Sequence, residues 1–519
     1  MTEQRNSGLY WAASLAVVAV TTWIRYWFVS TGQLGLSPDE AQYWDWSRTL
    51  QWSYYSKGPL IAYINALGTA LFGPTELGVR MGAVTGSLIM QLSVLVWIGL
   101  GWGRASTAFW TLVVLNTTAL FMAGGLLMTT DNPLLVCWIL GMICLSLALD
   151  KGHGASFVLL GLFVALGITA KYTMLIFIPL AAVTALWVGR SQALPPRFRP
   201  RLFKALGFGG AAGMLPILIW NATNNWAGIK HVLYRGGMAG EKAEVFFKLK
   251  YFPEYLGSQV GVLTPWWFVF LFIGAALVLF RLFSRGSEHP FPWLSRNHAI
   301  LLTVFFWPVW LFFLFWSLHT KIEANWSATA YPAGILLAAL AVERFMQRDS
   351  GSKWRWTWPV LGLLVFMLLH LQAFIPFDGS KNPVHRLRGW QDLGLQIDRL
   401  MDAELESKDG TFVFSDTYGT TAALSFYVPG QQRAYCLPGR RKMNQYDFWP
   451  GPEGRFENAV FVVGGEKPDA SQNILELFEQ VDEARVVTTT QGKRTGQTFT
   501  LFVCRGYKGS WPAQERQTY

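Results

Sequence analysis

Long apolar segments recur between residues 9 and 376, and no other feature of this chain constrains its fold as strongly. A helix needs about 17 to 25 mostly apolar residues to cross a bilayer. Eleven segments approach or reach this length, namely residues 9–29, 81–100, 106–127, 133–149, 155–170, 174–188, 204–220, 265–283, 299–318, 327–345 and 357–376. The composition agrees, since 52% of the 519 residues are hydrophobic and only 14% are charged. The sequence therefore predicts a polytopic α-helical membrane protein with about eleven transmembrane helices.

The distribution of basic residues orients these helices. The loop 190–204 contains five Lys or Arg residues and no acidic residue, so the positive-inside bias places it in the cytoplasm. Counting spans outward from it puts the longer polar segments on the opposite side, and these are residues 32–80, 128–132, 221–264, 319–326 and the chain after 377. We therefore expect the chemistry of this chain on the outer face of the membrane.

The chain after residue 377 has a different character, with nearly equal numbers of acidic and basic residues and no long apolar segment. Strand-like runs and helical patterns alternate there: strands are predicted at 411–414, 459–463, 484–488 and 498–503, and helices at 390–406 and 470–481. We predict a membrane domain over 1–377 and a soluble α/β domain over 378–519. Cys436 and Cys504 both fall in the soluble domain, where a disulfide bond and two free thiols are both open.

The net charge of +11 raises nucleic acid as a partner. The basic excess lies in the predicted cytoplasmic loops, however, where the positive-inside bias already explains it, so nucleic acid is not expected. The chain contains no Walker loop, no dinucleotide-binding glycine motif after a strand and no His/Cys cluster with zinc spacing. These patterns indicate no nucleotide and no structural zinc.

Two carboxylates stand at the outer ends of predicted helices. Asp39 and its neighbour Glu40 follow the first apolar segment, and a charge facing lipid would cost about 2.5 to 3.5 kcal/mol, so the pair is expected to face a polar cavity. Asp131 precedes Pro133 at the start of another segment, where it could instead cap the helix. Both aspartates are candidates for chemistry.

Several basic residues share the outer face with these carboxylates, and they are Lys57, Arg80, Lys171, His231, Arg235 and Lys321. Lysine and arginine stabilise negative charge that develops on a departing phosphate, while a carboxylate can take the proton of an acceptor hydroxyl. The set therefore favours group transfer from a phosphate. For Lys171, snorkelling to the membrane surface is an alternative reading.

Five motifs occur in order along the chain, at Asp39–Trp44, Tyr54–Tyr63, Thr130–Leu134, Leu166–Lys171 and Asn325–Pro332. Together they resemble the bacterial protein mannosyltransferase and aminoarabinose transferase superfamily of GT-C membrane glycosyltransferases. The resemblance covers roughly residues 9–376. It implies a GT-C fold and the transfer of a sugar from a polyprenyl-phosphate carrier, such as undecaprenyl phosphate, to an acceptor outside the membrane.

The resemblance also implies roles for individual residues. Asp39 corresponds to the catalytic carboxylate of the first outer loop and Asp131 to the carboxylate of the second. Lys57 and Lys171 correspond to lysines that bind the donor phosphate, and we extend this role to Arg235. Supporting roles are expected for Glu40, Tyr54, Arg80, His231 and Lys321.

The first-loop motif departs from both subgroups of the superfamily. The aminoarabinose branch has Glu-Lys-Pro, whose glutamate helps to hold a metal, and this chain has Ser56-Lys57-Gly58-Pro59. The commoner bacterial version has His-Pro-Pro at this place. No metal ligand is therefore assigned, although a divalent metal stays open as a cofactor.

The resulting expectation is an inverting glycosyltransferase of the bacterial inner membrane, with its active site and its C-terminal domain on the periplasmic side. Its partners would be a polyprenyl-phosphate sugar, membrane lipids, and a lipid, polysaccharide or protein acceptor. Two alternatives remain: a lipid or solute transporter, and a non-catalytic envelope assembly protein. Against transport, the chain shows no evident internal repeat, and its charges cluster at one face rather than at mid-membrane.

Overall fold

The structure is a computed structural model, and it describes residues 2–239, 247–283, 290–348, 352–371, 384–405, 407–439, 441–452, 454, 456–492 and 494–513. The predicted boundary between the two domains, at 377/378, lies outside these residues, and so does the end of the last predicted apolar segment. The division at that position therefore stays a prediction.

In the described residues between 2 and 371, all of the regular secondary structure is helical. Sixteen α-helices have the bounds α1 Thr2–Ser30, α2 Pro38–Ser47, α3 Leu60–Phe72, α4 Glu76–Val94, α5 Ala105–Thr117, α6 Ala119–Gly124, α7 Asp131–Lys151, α8 Gly154–Ala170, α9 Phe177–Ser191, α10 Phe198–Thr223, α11 Ala227–Arg235, α12 Tyr251–Leu263, α13 Pro265–Phe283, α14 Arg296–Trp316, α15 Tyr331–Arg348 and α16 Thr357–Leu371. A π-helical stretch, Leu95–Gly101, continues α4, and short 3-10 turns precede α9 and α15.

Within the described residues, eight helical stretches are long and apolar enough to cross a membrane: Ser7–Ser30, Glu76–Gly101, Asp131–Lys151, Tyr172–Ser191, Phe198–Thr223, Pro265–Phe283, Arg296–Trp316 and Trp326–Arg348. The polytopic helical fold is confirmed, whereas the predicted count of eleven is not. The segment 106–127 is divided into α5 and α6 because Thr118 adopts an extended conformation (ψ 126°). The segment 155–170 corresponds to α8, which has only 17 residues.

The centre of the bundle is packed by aromatic side chains from α7, α9 and α14. Trp138, Phe177 and Phe305 are each fully buried, and their ring centroids lie 4.9 to 5.8 Å apart with the rings edge to face. Such pairs stabilise beyond the area they bury. This packing fixes the direction of α7, whose first residue is Asp131.

The described residues of the C-terminal region form one sheet of six strands, β1 Thr411–Ser415, β2 Tyr435–Cys436, β3 Asn458–Gly464, β4 Phe478–Val481, β5 Arg485–Gln491 and β6 Arg494–Tyr507. Its order is β2-β1-β3-β6-β4, and β5 pairs with β6. Strands β2, β1 and β3 are parallel, and β6 runs antiparallel to its neighbours. Three helices accompany the sheet: α17 Trp390–Glu404, α18 Tyr418–Tyr427 and α19 Gln472–Leu475. The predicted α/β domain is confirmed.

The predicted helix at 470–481 is wrong. Only four residues, Gln472–Leu475, are helical, and Phe478–Val481 forms β4. Phe478 pairs with Tyr507 of β6 and is 1% exposed, so sheet pairing and burial override the local pattern.

The cysteines of the sheet, Cys436 and Cys504, are free and buried. They lie on β2 and β6, which are separated in the sheet by β1 and β3. Strands are spaced by about 4.8 Å, so these positions are about 14 Å apart, whereas a disulfide requires Cα atoms within about 7 Å. Of the disulfide bond and the two free thiols that the sequence left open, the structure therefore has the free thiols.

The sheet domain docks on the outer loops of the membrane part through three tyrosines. Each donates its hydroxyl to a carboxylate, and the pairs are Tyr418 with Asp39 at 3.0 Å, Tyr446 with Asp45 at 2.9 Å, and Tyr427 with Glu76 at 2.9 Å. The ring of Phe426 packs edge to face on Trp44, with centroids 4.8 Å apart. The interface is therefore both apolar and hydrogen-bonded, and it lies beside Asp39.

Candidate active site

Helix α2 presents Asp39 at its N-terminus. Ser37 and Glu40 form a capping box, in which Ser37 accepts the N–H of Glu40 and its own N–H donates to the Glu40 carboxylate at 2.9 Å. Pro38 occupies the first turn, as its fixed φ favours. Asp39 follows it, and its side chain is exposed. A carboxylate is stabilised at this end of a helix by the backbone dipoles.

Glu40 holds the first outer loop together. Its carboxylate binds the Arg80 guanidinium of α4 in a bidentate pair, with both N–O distances at 2.8 Å, and both side chains are almost fully buried. Arg80 also donates to the carbonyls of Leu34 and Gly35 at 2.7 Å. The N–H of Met128 donates to the same carboxylate at 2.9 Å. Glu40 and Arg80 thus connect the loops that carry Asp39 and Asp131.

Lys57 is brought to the site by the close approach of its loop to α8. A Cβ atom on Gly58 would lie 2.1 Å from the carbonyl oxygen of Thr169, so no other residue fits without displacing one of the two segments. Thr169 is near the end of α8, two residues before Lys171. The sequence Lys-Gly-Pro thereby places Lys57 beside Lys171.

The charges around Lys57 identify its neighbours. Burial, followed by the positive charge of Lys171, lowers the pKa of Lys57 to about 8. The carboxylates of Asp131 and Asp39 act on the same ammonium in the opposite direction, and Arg235 adds a further positive charge. Four other residues that were predicted to form the site, although distant in sequence, therefore lie within electrostatic reach of Lys57.

Asp131 and Lys171 form a buried ion pair. The Lys171 Nζ lies 2.6 Å from Asp131 Oδ1, and both side chains are 11% exposed. Asn325 donates its amide to Asp131 Oδ2, also at 2.6 Å. The N-cap of α7 is Thr130, with no side-chain hydrogen bond, so Asp131 does not act as a capping residue. Lys171 is paired inside the protein and does not snorkel to the surface.

Arg235 and His231 lie on α11, on the same side of the site. Arg235 is half exposed and forms a long ion pair with Glu323 at 3.5 Å. The His231 ring stacks obliquely on Tyr55, with centroids 4.7 Å apart. Burial lowers the pKa of His231 to about 4, and the charge of Arg235 contributes, so this imidazole is neutral at pH 7.

The two remaining predicted residues, Lys321 and Tyr54, contact neither Asp39 nor Asp131 in the hydrogen bonds and ion pairs of the described residues. Lys321 is about half exposed and forms its ion pair with Glu254 of α12 at 3.1 Å, so the structure does not pair it with either aspartate. Tyr54 is buried, stacks on Trp46 at 4.6 Å, and donates its hydroxyl to the carbonyls of Trp46 and Thr49. Tyr54 therefore shapes the first loop rather than facing its opening.

Two polar residues of the site were not assigned from the sequence. Asn325 lies inside one of the predicted motifs, but nothing in the motif indicates that it contacts Asp131. Tyr418 belongs to the C-terminal domain and is 379 positions from its partner Asp39. No local pattern could have found this contact, because only the docking of the two domains creates it.

The side chains present do not fit a divalent metal at the first-loop position. Ser56 supplies no carboxylate there, and no group of three or more His, Cys, Asp or Glu side chains suited to a metal comes together within the described part of the chain. Stable sites for hard divalent cations need several oxygen ligands.

Residues 56–220 match the family described as dolichyl-phosphate-mannose-protein mannosyltransferase. The chain is 28% identical to the lipid A galacturonosyltransferase RgtD of Rhizobium johnstonii over 336 residues. This alignment covers 62% of this chain and 64% of that protein. It is 23% identical over 371 residues to the undecaprenyl phosphate-alpha-4-amino-4-deoxy-L-arabinose arabinosyl transferase of Enterobacter sp., covering 67% of this chain and 63% of that protein. The chain thus spans a little under two thirds of the length of either relative.

Two solved structures share the fold. ArnT from Cupriavidus metallidurans bound to undecaprenyl phosphate aligns with a TM-score of 0.59 at 14% identity, over 94% of this chain and 97% of that one. The oligosaccharyltransferase of Archaeoglobus fulgidus aligns with a TM-score of 0.50 at 12% identity, over 88% of this chain and 69% of that one.

The fold and the matches define a multi-pass protein of the bacterial inner membrane with the GT-C architecture. The resemblance to the protein mannosyltransferase and aminoarabinose transferase superfamily, predicted from the sequence motifs, is confirmed, and the chain is ArnT-like in sequence and in fold.

Proposed function

We propose that this protein transfers a sugar from undecaprenyl phosphate to a lipid A-type glycolipid on the periplasmic side of the membrane, with inversion at the sugar carbon. One observation carries the proposal. Three cations and two aspartates from four separate loops converge at one mouth of the bundle: Lys57, Lys171, Arg235, Asp39 and Asp131. The names of the relatives, a lipid A galacturonosyltransferase and an undecaprenyl-phosphate aminoarabinose transferase, support the same reaction class.

The donor phosphate is assigned to the cations. Lys171 keeps Asp131 as a partner at 2.6 Å, which fixes its ammonium beside Lys57. Among the ion pairs of the described residues, none involves Lys57, and Arg235 holds only the long contact to Glu323. A phosphate between Lys57 and Arg235 would gain charge-assisted hydrogen bonds from both. It would also relieve the repulsion between Lys57 and Lys171.

Asp39 is assigned as the general base. Both oxygens of Asp131 already accept hydrogen bonds, from Lys171 and Asn325, so Asp131 is suited to orienting Lys171 rather than to proton transfer. Asp39 is exposed, and among the hydrogen bonds of the described residues only its Oδ1 has a partner, the hydroxyl of Tyr418. In the reaction, the acceptor hydroxyl gives its proton to Asp39 as its oxygen bonds to the sugar carbon. The bond to the phosphate breaks, and the cations stabilise the charge that the phosphate gains.

A phosphorylated glycolipid suits the charge around the mouth. Arg386, which follows the membrane bundle, acts electrostatically on Tyr418, and Lys442 of the sheet domain acts on His231. Both basic side chains are exposed. They add positive charge on the side of the soluble domain, where a phosphate of the acceptor would lie.

The test is mass spectrometry of lipid A, envelope polysaccharides, envelope proteins and carrier lipids from a deletion strain that carries the wild type or Asp39→Asn. We expect one glycan to be absent from the deletion strain, to return with the wild type, and not to return with Asp39→Asn, while undecaprenyl-phosphate sugar accumulates. Asp469→Asn, at an exposed position of the sheet domain, makes the same chemical change away from the site and should restore the glycan.

Two results would contradict these proposals. If Asp39→Asn restores the glycan, Asp39 is not the base and the proposed mechanism is wrong. If no glycan of lipid A, polysaccharide or protein changes on deletion while lipid or solute transport does, the transferase proposal itself is wrong.

A further inference from the structure

We propose that Tyr418, which belongs to the C-terminal domain, is a positioning residue for the reaction, because its hydroxyl fixes the orientation of the Asp39 carboxylate. The inference rests on the proposed function, since it requires Asp39 to be the base. It assigns to the soluble domain a direct part in the active site: the domain completes the hydrogen-bonded environment of a residue in the first outer loop.

Three tyrosines of the sheet domain donate to three carboxylates, but the carboxylates differ in accessibility. Asp45, the partner of Tyr446, is fully buried, and Glu76, the partner of Tyr427, is partly buried. These two contacts hold the domains together. Asp39, the partner of Tyr418, is exposed and lies in the cluster around Lys57.

The position of Tyr418 is set by close packing rather than by a flexible loop. It is the first residue of α18, whose N-cap, Thr417, accepts the N–H of Thr420. The next residue, Gly419, packs directly against Pro38, since a Cβ atom there would lie 2.8 Å from the Pro38 Cβ. The start of α18 therefore rests on the start of α2. The phenol is delivered to Asp39 by this contact between two helix ends.

The protonation state of the phenol determines the direction of the hydrogen bond. Burial, and after it the negative charge of Asp39, raises the pKa of Tyr418, so the phenol stays protonated. Its hydroxyl donates a hydrogen bond to Asp39 Oδ1, with the two oxygens 3.0 Å apart. Oδ2 is left to receive the proton of the acceptor hydroxyl. Tyr418 neither gains nor loses a proton in the reaction and makes no bond to the sugar. It fixes which oxygen, in which direction, meets the acceptor.

The test separates turnover from donor binding and from stability, in the full-length protein purified in detergent. Turnover is measured with the undecaprenyl-phosphate sugar extracted from the deletion strain, binding with undecaprenyl phosphate, and stability by thermal unfolding. For Tyr418→Phe we expect turnover to fall about tenfold, with undecaprenyl phosphate affinity and Tm unchanged. Tyr427→Phe removes the hydroxyl at the other end of the same helix. It should lower Tm and leave turnover per folded molecule unchanged.

Gly419→Ala provides a second variant that leaves Tyr418 intact. The added methyl group displaces the start of α18 from Pro38, so turnover should fall as it does for Tyr418→Phe. The inference is overturned if Tyr418→Phe turns over as fast as the wild type or faster, or if its turnover falls only in proportion to its binding or its folded fraction.

Asp39→Asn, measured in the same assay, distinguishes the two proposals. If Asp39→Asn is inactive and Tyr418→Phe is fully active, the positioning role is wrong and the proposed function stands. If Asp39→Asn is active, the proposed function fails first, and the role of Tyr418 fails with it.

Discussion

The lowered pKa of Lys57 predicts a pH dependence of donor binding. Burial and the neighbouring Lys171 bring this pKa to about 8, so the ammonium is partly deprotonated in the free protein just above neutral pH. A bound phosphate favours the charged form and raises the pKa. Binding must therefore take up a proton above pH 8, and affinity must fall as the pH rises through this value.

The size of the effect follows from the titration. With a pKa of about 8, roughly nine tenths of Lys57 is protonated at pH 7 and roughly one tenth at pH 9. If the ammonium is the form that binds, the affinity for undecaprenyl phosphate should fall about tenfold between these values, or about 1.4 kcal/mol. The charges of two other groups, His231 and the phosphate itself, are nearly constant between pH 7 and pH 9. The pKa of His231 is lowered to about 4, and the second pKa of a phosphate monoester is about 6.

The assay is calorimetric titration of the purified protein with undecaprenyl phosphate between pH 7 and pH 9, in two buffers that differ in ionisation enthalpy. The difference in heat reports the proton taken up. Lys57→Arg is the matched variant, because guanidinium stays charged over the whole range and the pH dependence should flatten. Lys57→Gln should bind weakly at every pH. If wild type and Lys57→Arg show the same pH dependence, Lys57 does not bind the phosphate and the assignment is refuted.

Two further predictions concern the scaffold of the site. Gly58→Ala places a methyl group about 2.1 Å from the Thr169 carbonyl oxygen, so it should abolish most transfer and lower the free energy of unfolding by about 1 to 3 kcal/mol. Gly207→Ala is the control, because a Cβ atom there lies within 4 Å of no other atom, and it should retain activity in the same assay. Glu40→Gln leaves the Arg80 guanidinium buried without a full charge partner and should cost about 3 to 5 kcal/mol, seen as a lower Tm. Asp39→Asn makes the same type of change one residue earlier, at an exposed position, and should unfold at the wild-type temperature. Equal losses of Tm in both variants would contradict the assignment of a structural role to Glu40 and a catalytic role to Asp39.

The sequence predicted those parts of the structure that are recorded locally. Apolar length identified the bundle, and strand-like runs identified β1, β3, β5 and β6. It failed where a choice depends on distant partners. Residues 478–481 are a strand because β6 pairs with them, although their own pattern is compatible with a helix. The predicted count of eleven spans is not confirmed within the described residues, and one reason is that hydropathy does not detect the break at Thr118.

The site shows the same division. Motif resemblance selected Lys57, Asp131 and Lys171, and the structure brings them together. It could not show that Asp131 has both oxygens occupied, since one donor, Asn325, lies 194 positions away. The contact of Tyr418 with Asp39 depends on how two domains dock, which no single-sequence pattern encodes. Residues that act on another side chain across a domain interface are therefore the ones that sequence reasoning misses.

The arrangement of charge explains why the free site is suited to an anionic ligand. Two lysines are held close together in a partly buried place, which disfavours the charge of Lys57, as its lowered pKa shows. Within the part of the chain that the structure describes, one of them has a buried counter-ion: Asp131 pairs with Lys171. If Asp131 neutralised both, a phosphate would have to displace it. Because Lys57 has no such partner among the ion pairs of the described residues, a donor phosphate can complete the charge balance without breaking an existing pair. Conversely, Asp131→Asn removes a carboxylate that favours the charged form of Lys57, so the loss of donor binding in that variant should be largest at alkaline pH.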